Sequence, residues 1–204
     1  MLDQRKSEIR IYWLIASLEP LRVLMYREGT TRLTSQPFKL DDFENPLIHI
    51  TNAFQQKNHP DFDPAVELKW EFDRLERHLV EERGLAAPGH LERELRPRLR
   101  ACLAFVARAA RERLASPPTQ GHYFGLYGAD FILDGRLRPW LTEVQRGPGL
   151  SHDDPVKARL IPPMLAEALR IVLEIQAQRR AGEPPGPLAS VRNFEWVVDE
   201  AAAS

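Results

Sequence analysis

Ile9 to Ala16 is an unbroken apolar run rich in β-branched and aromatic residues, and it reads as a buried strand. Leu21-Arg22-Val23-Leu24-Met25-Tyr26 reads as a second strand. Glu28-Gly29 then predicts a turn in which the glycine takes a positive φ, and Thr30 to Thr34 a third strand. This antiparallel meander leads into a loop from Gln36 to Pro46. Leu47 to Thr51 predicts a short strand that runs into a polar loop, Asn52 to Asp61. Asp63 is placed as an N-cap with Pro64 in the first helical position, and Leu68, Phe72, Leu75 and Leu79 recur at helical spacing. Those signals predict a helix over Pro64 to Arg83.

Gly84 to Gly89 breaks that helix. A second one runs to about Leu114, with Leu99, Leu103, Val106 and Ala110 on one face and Pro97 in its first turn. Tyr123 to Tyr127 and Ala129 to Leu133 are strand-like, Asp134-Gly135 is a hairpin signal, and Leu137 to Val144 is the returning strand. After a loop from Gly147 to Asp154, Pro155 to about Arg180 is helical, with Pro162-Pro163 expected to break or restart it. Residues 181–204 form a tail rich in Pro, Gly and Ala, whose apolar patch Phe194-Glu195-Trp196-Val197-Val198 is placed to dock back on a body spanning residues 1–180. Strands, a helix pair, a hairpin and a further helix, in that order, predict an α+β fold with helices packed on an antiparallel sheet. The alternating βα pattern of a parallel nucleotide-binding sheet, the Gly-x-Gly-x-x-Gly fingerprint and the phosphate-loop motif are all absent.

Composition narrows the chemistry. Of 204 residues, a length that suits one domain or one and a half, 43% are hydrophobic and 28% charged, enough for a real core. The net charge of −1 supplies no field to draw in nucleic acid or an anionic membrane, so neither is expected as a partner. No apolar stretch reaches the roughly 20 residues of a membrane span. The single cysteine, Cys102, sits in an apolar run and reads as a buried thiol in a reducing, cytoplasmic compartment.

The sharpest chemical signal is the hairpin. Asp130 stands on its first strand, and Glu143 and Gln145, two apart on the second, point to one face. Depending on register, Asp130 lies beside Glu143 or one pair away. Two carboxylates and an amide oxygen on one face would suit Mg²⁺; the alternative is ordinary solvent-facing charge. Arg10 on the first strand and Arg32 on the third, with Lys6 and Arg22 near, suit phosphate or carboxylate oxygens, or else salt bridges to the acidic hairpin. His49, Thr51 and Asn52 form a polar set at a strand end. The run Glu71-Asp73-Arg74-Glu76-Arg77 reads as a solvated helix face, and the aspartates of His152-Asp153-Asp154 as helix caps.

Five segments in order resemble the tubulin tyrosine ligase-like family: Lys6-Ser7-Glu8-Ile9-Arg10-Ile11-Tyr12; Leu21 to Gly29; Arg32-Leu33-Thr34-Ser35-Gln36-Pro37-Phe38; His49-Ile50-Thr51-Asn52; and Tyr127-Gly128-Ala129-Asp130-Phe131 with Pro139-Trp140-Leu141-Thr142-Glu143-Val144. The match covers roughly residues 5–175. The resemblance implies the C-terminal lobe of an ATP-grasp ligase, which joins tyrosine, glutamate or glycine to a protein carboxylate, chiefly of tubulin tails, through an acyl-phosphate. It implies ATP and Mg²⁺ as cofactors. By position, Asp130, Glu143 and Gln145 would hold the metal, Lys6, Glu8, His49, Thr51 and Asn52 would line the nucleotide, and Arg10 and Arg32 would face the transferred phosphate. The family usually has Asn where this chain has Gln145. The family's N-terminal half would precede Lys6, so the resemblance implies one of three things: the chain is a fragment or truncated product, a partner supplies that half, or catalysis is lost. The alternative it leaves open is a truncated, non-catalytic module that binds acidic protein tails through Arg10, Arg22 and Arg32. Cytoplasmic, microtubule-associated localisation follows from the same resemblance.

Overall fold

In the computed structural model, which describes residues 1–115, 123–152 and 154–202, the N-terminal apolar run becomes β1, Ser7–Leu18. It turns at Glu19-Pro20 into β2, Leu21–Leu33, and the two pair antiparallel along their lengths. The expected turn at Glu28-Gly29 does not form: β2 runs straight through it, with Gly29 opposite Ile11. Gly29 does not take a positive φ. The reason for glycine is close approach instead. A Cβ there would lie 2.5 Å from the Arg10 carbonyl oxygen and 2.6 Å from Cζ of Phe72. Gly29→Ala is therefore expected to cost about 1–3 kcal/mol through overpacking, measured as a lower urea midpoint; an unchanged midpoint would contradict that reading.

The expected strand at Leu47 to Thr51 is instead a short helix, α1 (Pro46–His49), and the polar loop after it contains a second, α2 (Ala53–Lys57). Both carry an asparagine N-cap: the Asn45 side chain accepts from the Leu47 N–H, and that of Asn52 from the Phe54 and Gln55 N–H groups. The long helix over Pro64 to Arg83 is also divided. Lys69–Glu71 is β3, paired with β2 through Arg32↔Lys69, and only Phe72–Arg77 (α3) and a π-helical stretch, His78–Glu82, follow. Leu68, Phe72, Leu75 and Leu79 are all buried, but Leu68 immediately precedes β3 and lies outside the helix. The charge run is not simply solvated: Glu76 accepts from the N–H groups of Gly89, His90 and Leu91, closing the break between the helices.

After a second π-helical stretch, Leu91–Leu95, comes α4 (Arg96–Leu114), with Pro97 in its first turn as expected. Its core face is Leu99, Leu103, Ala104 and Ala107, slightly rotated from the expected one. Cys102 is half-buried against the core, and its thiol pKa is pushed up by burial. β4 (Gly125–Leu133) and β5 (Pro139–Gln145) form the hairpin closed at Asp134. Tyr123, expected in that strand, precedes it.

The last long element, α5 (Pro155–Arg180), is continuous through Pro162 and Pro163. Those prolines remove two helix donors, but they and Ala158 and Arg159, whose carbonyls lose the bonds, lie on the exposed side. The opposite side, with Leu160, Ile161, Met164, Ala168, Ile171, Val172 and Ile175, is clamped on the sheet, and tertiary packing outweighs the local cost. The tail's apolar patch docks as a sixth strand, β6 (Phe194–Asp199), beside β2.

The sheet order is β3-β2-β1-β4-β5, with β6 also on β2, all pairs antiparallel. One face buries Ile9, Ile11, Trp13 and Ile15 against Leu75, Leu79, Leu95, Leu99 and Leu103; the other buries Tyr12, Leu14 and Ala16 against α5. The α+β expectation holds. Among the described residues no helix is long and apolar enough to cross a membrane.

Candidate functional site

The α5-side face of the sheet changes character at one end. Alternation along β1 places Glu8 and Arg10 on the same face as Tyr12 and Leu14, and here the apolar cover gives way to charge. Cross-strand register lines these groups up: Arg32 opposite Glu8, Arg10 opposite Asp130, and Asp130 opposite Glu143. The last pairing depends on a β-bulge. From Leu133↔Pro139 to Phe131↔Leu141 the hairpin register would put Thr142 opposite Asp130 and send Glu143 to the far face. The extra residue, Thr142, whose hydroxyl donates to the Asp130 carbonyl (3.0 Å), shifts the register and turns Glu143 onto the face of Asp130.

Asp130 is 3% exposed and Arg10 5%. Arg10 Nε and Nη2 donate to the two Asp130 oxygens, the latter bond being 2.8 Å, and Nη2 also reaches Gln145 Oε1 at 2.9 Å. Arg32 Nη2 donates to the same Asp130 carboxylate and to Glu8 Oε2 (2.9 Å). Glu8 in turn accepts from the Thr51 hydroxyl at 2.5 Å. Gly128, opposite Gln145, leaves room for this arrangement, since a Cβ there would meet the Arg10 guanidinium carbon at 3.3 Å. Burial alone would raise the Asp130 pKa, but the Arg10 hydrogen bond and the charges of Arg32 and Arg10 outweigh it and hold the carboxyl below its ordinary value. For Arg10, burial pulls the other way and the Asp130 hydrogen bond and charge prevail, raising its pKa.

The sequence-predicted residues therefore divide. Glu8, Arg10, Arg32, Thr51, Asp130 and Gln145 form one bonded network, and Glu143 joins it through Gln145 Nε2 (3.0 Å). Salt-bridging of the arginines to the hairpin is thus realised. Lys6 binds the carbonyl of His49 (2.8 Å) and lies 3.7 Å from Glu8. The His49 ring is turned away, bonded to the Asp42 carbonyl and flanked by Phe38 and Phe43. Asn52 spends its side-chain oxygen on the α2 cap while also bordering the cleft described next. Arg22 is not part of the site: it is 1% exposed, bonded to Asp199 on β6 and to the Gly186 carbonyl, and stacked on Trp196. Asp154 caps α5 by accepting from the Lys157 N–H, while Asp153 lies outside the described residues.

Above the network is a cleft of about 420 Å³. Arg10 and Arg32 contribute to its floor. Lys57 from α2, Lys69 from β3 and Lys157 from the first turn of α5 add three more cations, and among the described residues no carboxylate lines it. Among the described residues the buried Nε of Arg32 has no hydrogen-bond partner, and an anionic oxygen entering the cleft would satisfy such a donor. The three lysines escaped sequence reasoning because they come from distant segments. One signal existed: Lys157 places a cation in a helix's first turn, against the helix dipole.

A model of the tubulin-tyrosine ligase family matches residues 1–181. The chain belongs to the tubulin-tyrosine ligase family. Similar proteins include a probable tubulin polyglutamylase TTLL9 of Bos taurus, 30% identical over 172 residues covering 84% of this chain and 36% of that protein. The tubulin polyglutamylase TTLL5 of Homo sapiens is 28% identical over 92% of this chain and 16% of its own length. The tubulin monoglycylase TTLL3 of Mus musculus is 28% identical over 85% of this chain and 19% of its own length. The chain thus spans about a third or less of these tubulin-tyrosine ligase family relatives.

Proposed function

We propose that this chain is the metal- and phosphate-handling part of an ATP- and Mg²⁺-dependent ligase that joins tyrosine, glutamate or glycine to a carboxylate of a glutamate-rich protein tail. Family membership and the relatives' names support tubulin as the acceptor. The observation that carries the reading is the register row Arg10–Asp130–Glu143, with Arg32 bonded into it, beside a cleft in which Arg10 and Arg32 are joined by Lys57, Lys69 and Lys157.

In this reading the acceptor carboxylate attacks the γ-phosphorus of ATP, and the bond to the ADP oxygen breaks. The amine of the incoming amino acid then displaces phosphate from the acyl-phosphate, losing a proton as the amide forms. Catalysis of such a transfer is mostly positioning and neutralisation of charge. Arg10 and Arg32 suit that task. Their guanidinium planes are fixed from behind by Asp130 and Glu8, so they meet an anion without losing much side-chain freedom. Lys6, Glu8 and Thr51 would border the nucleotide, with His49 contributing its carbonyl-held segment and Asn52 the start of α2.

The donor set Asp130, Glu143 and Gln145 fits a hard cation: two carboxylates and an amide oxygen on one face, with Glu143 exposed toward solvent. Asp130 Oδ1 and Gln145 Oε1 each accept one bond from Arg10 and keep a second lone pair, whereas Asp130 Oδ2 accepts from both Arg10 and Arg32. Bound there, Mg²⁺ would offset charge on the ATP phosphate oxygens. Gln145, one methylene longer than the family's usual Asn, keeps the carbonyl donor and is long enough to reach Arg10.

The test is ATP-dependent incorporation of labelled glycine, glutamate or tyrosine into a glutamate-rich peptide. Arg32→Met is expected to lower the rate by about 10²–10³-fold, the usual effect of removing one preorganised donor. Incorporation that ignores ATP, or is untouched by Arg32→Met, would contradict the reading. The cationic cleft also favours a second reading, a non-catalytic module for acidic tails; binding of an acidic peptide with no ligation under any condition would select it.

A further inference from the structure

The face of the sheet that packs on α4 carries a charged cluster of its own, away from the Arg10 network. Three guanidiniums, Arg27 from β2 and Arg96 and Arg100 from α4, converge on the carboxylate of Glu195 in β6, at 3.0, 3.6 and 3.8 Å. The Glu195 side chain is only 8% exposed. Together with Glu92 these residues line a cleft of about 350 Å³. Arg96 is also paired with Glu92, and it lies 3.5 Å from Glu28, which stands outside the cleft. Among the described residues Arg100 has only its 3.8 Å ion pair, too long for a hydrogen bond. The buried Nε atoms of Arg96 and Arg100 likewise have no hydrogen-bond partner among the described residues.

One carboxylate among three guanidiniums leaves donors unused, and buried donors are normally satisfied. The lining holds three arginines and two glutamates, one positive charge in excess. That excess suits a single carboxylate, whose two oxygens match the guanidinium fork. A doubly charged phosphate would meet repulsion from the Glu195 already in place. The cavity is larger than a lone carboxylate group, so a side chain and its backbone fit around the charge. The positive field also reaches beyond the cleft. α4 carries six arginines and one acid, Glu112, in a chain whose net charge is −1. Arg98 and Arg111 form surface pairs with Glu94 and Glu200, whereas the exposed Arg108 has no ion pair among the described residues.

We propose that the Arg27–Arg96–Arg100 cleft is a second anion site, which takes one glutamate side chain of an acidic peptide while α4 extends the contact to neighbouring carboxylates. In the ligase reading that peptide is the acceptor tail, held on a face other than the one that handles phosphate. The inference rests on that reading only for the identity of the tail. A tail held there stays at raised local concentration around the chain.

The experiment titrates the full 204-residue chain, without nucleotide, with an acetylated, amidated oligoglutamate peptide, using calorimetry. Oligoglutamine of the same length, free L-glutamate, inorganic phosphate and a single-stranded oligonucleotide are the comparison ligands. The peptide is expected to bind, with Arg100→Met weakening it about tenfold or more, the scale of one charge-assisted bond. Arg32→Met, which alters the ligase cleft on the opposite face, should leave the Arg100-dependent binding in place. Oligoglutamine, free glutamate and phosphate should each bind at least about tenfold more weakly than the peptide. Arg100 is half-exposed, so its variant should fold. A photoreactive form of the peptide, cross-linked to the wild-type chain and expected to label residues of α4 and β6, keeps the test decisive if it does not.

Undiminished binding by a folded Arg100→Met chain would overturn the inference. So would cross-links confined to the ligase cleft, binding abolished by Arg32→Met, phosphate or free glutamate matching the peptide, or an oligonucleotide that outcompetes it. Ligation is assayed separately from this nucleotide-free binding, so failure of the ligase reading and failure of the second site give different results.

Discussion

Asp130→Ala is expected to destabilise the chain by about 3–5 kcal/mol, the cost of leaving a buried ion network without its central anion. Asp130 accepts from both Arg10 and Arg32, and it is the group that lets two guanidiniums stand side by side at the sheet centre. Arg32 keeps Glu8 as a second partner, but Arg10 would be left with a hydrogen bond to the neutral Gln145 amide and only the charge of the exposed Glu143 near it. Replacement by Asn, which preserves shape, should still cost most of this, because two guanidiniums would then share the single bonded carboxylate of Glu8. Urea unfolding followed by far-UV circular dichroism reads the difference, and a loss under about 1 kcal/mol would mean that water in the cleft already solvates the arginines.

The second large effect lies on the far side of α5. Glu167 is 3% exposed, and its Oε1 accepts from the N–H groups of Arg192 (2.8 Å), Asn193 (2.7 Å) and Phe194 (3.0 Å). Its Oε2 accepts from the Asn193 side chain at 2.9 Å. One helical side chain thus fixes the entry into β6. Two turns on, Glu174 does the same for the N–H groups of Ala189 and Ser190. Glu167→Ala strands three backbone donors, each worth about 1–3 kcal/mol when buried unpaired. The expected result is a loss of roughly 3 kcal/mol or more, together with fast amide exchange across Phe194–Asp199 while β1 and β4 remain protected.

The same bonds set a pH dependence. Burial raises the Glu167 pKa, but the backbone N–H groups of Arg192 and Phe194 and the Asn193 amides outweigh it and bring the carboxyl below its ordinary value. A depressed folded pKa means stability that is fully present above the unfolded value of about 4.3 and is lost as pH falls through the folded one. Acid should therefore loosen β6, and Glu167→Gln should flatten that part of the acid limb. An acid limb identical in Glu167→Gln would contradict the assignment.

How much of this the sequence disclosed depends on the range over which each feature is decided. β1, the Asp134 hairpin, α4 from Pro97 and α5 are set by local periodicity and turn chemistry, and each was legible. Asn45-Pro46 and Asn52 are local cap signals too, but Ile48, Ile50 and Thr51 around His49 carry a strand-like pattern that points the other way. Leu68 to Leu79 fits a helix by spacing, and only pairing of Lys69–Glu71 with β2 makes its start extended. Gly29 was legible as special but not why, because the atoms it makes room for belong to Arg10 and Phe72. The Pro162-Pro163 pair was overruled by the apolar face that packs on the sheet.

The site was legible as chemistry before it was legible as geometry. Asp130, Glu143 and Gln145 stood out as polar groups in an apolar hairpin, yet whether Glu143 shares the face of Asp130 turns on a single bulged residue, Thr142. Arg22 resembled Arg10 and Arg32 in sequence, and its capture by Asp199 could not be foreseen without β6 in place. Lys57, Lys69 and Lys157 meet only through the fold.

The central claim is that the bulged hairpin presents a cation site to ATP phosphates beside Arg10 and Arg32. Calorimetric titration of the chain with ATP, with and without Mg²⁺, for wild type and Glu143→Gln, tests it most directly. The account predicts binding that requires Mg²⁺ and weakens at least about tenfold in Glu143→Gln, with the fold intact because Glu143 is exposed. Affinity for ATP that is indifferent to both Mg²⁺ and Glu143 would contradict it.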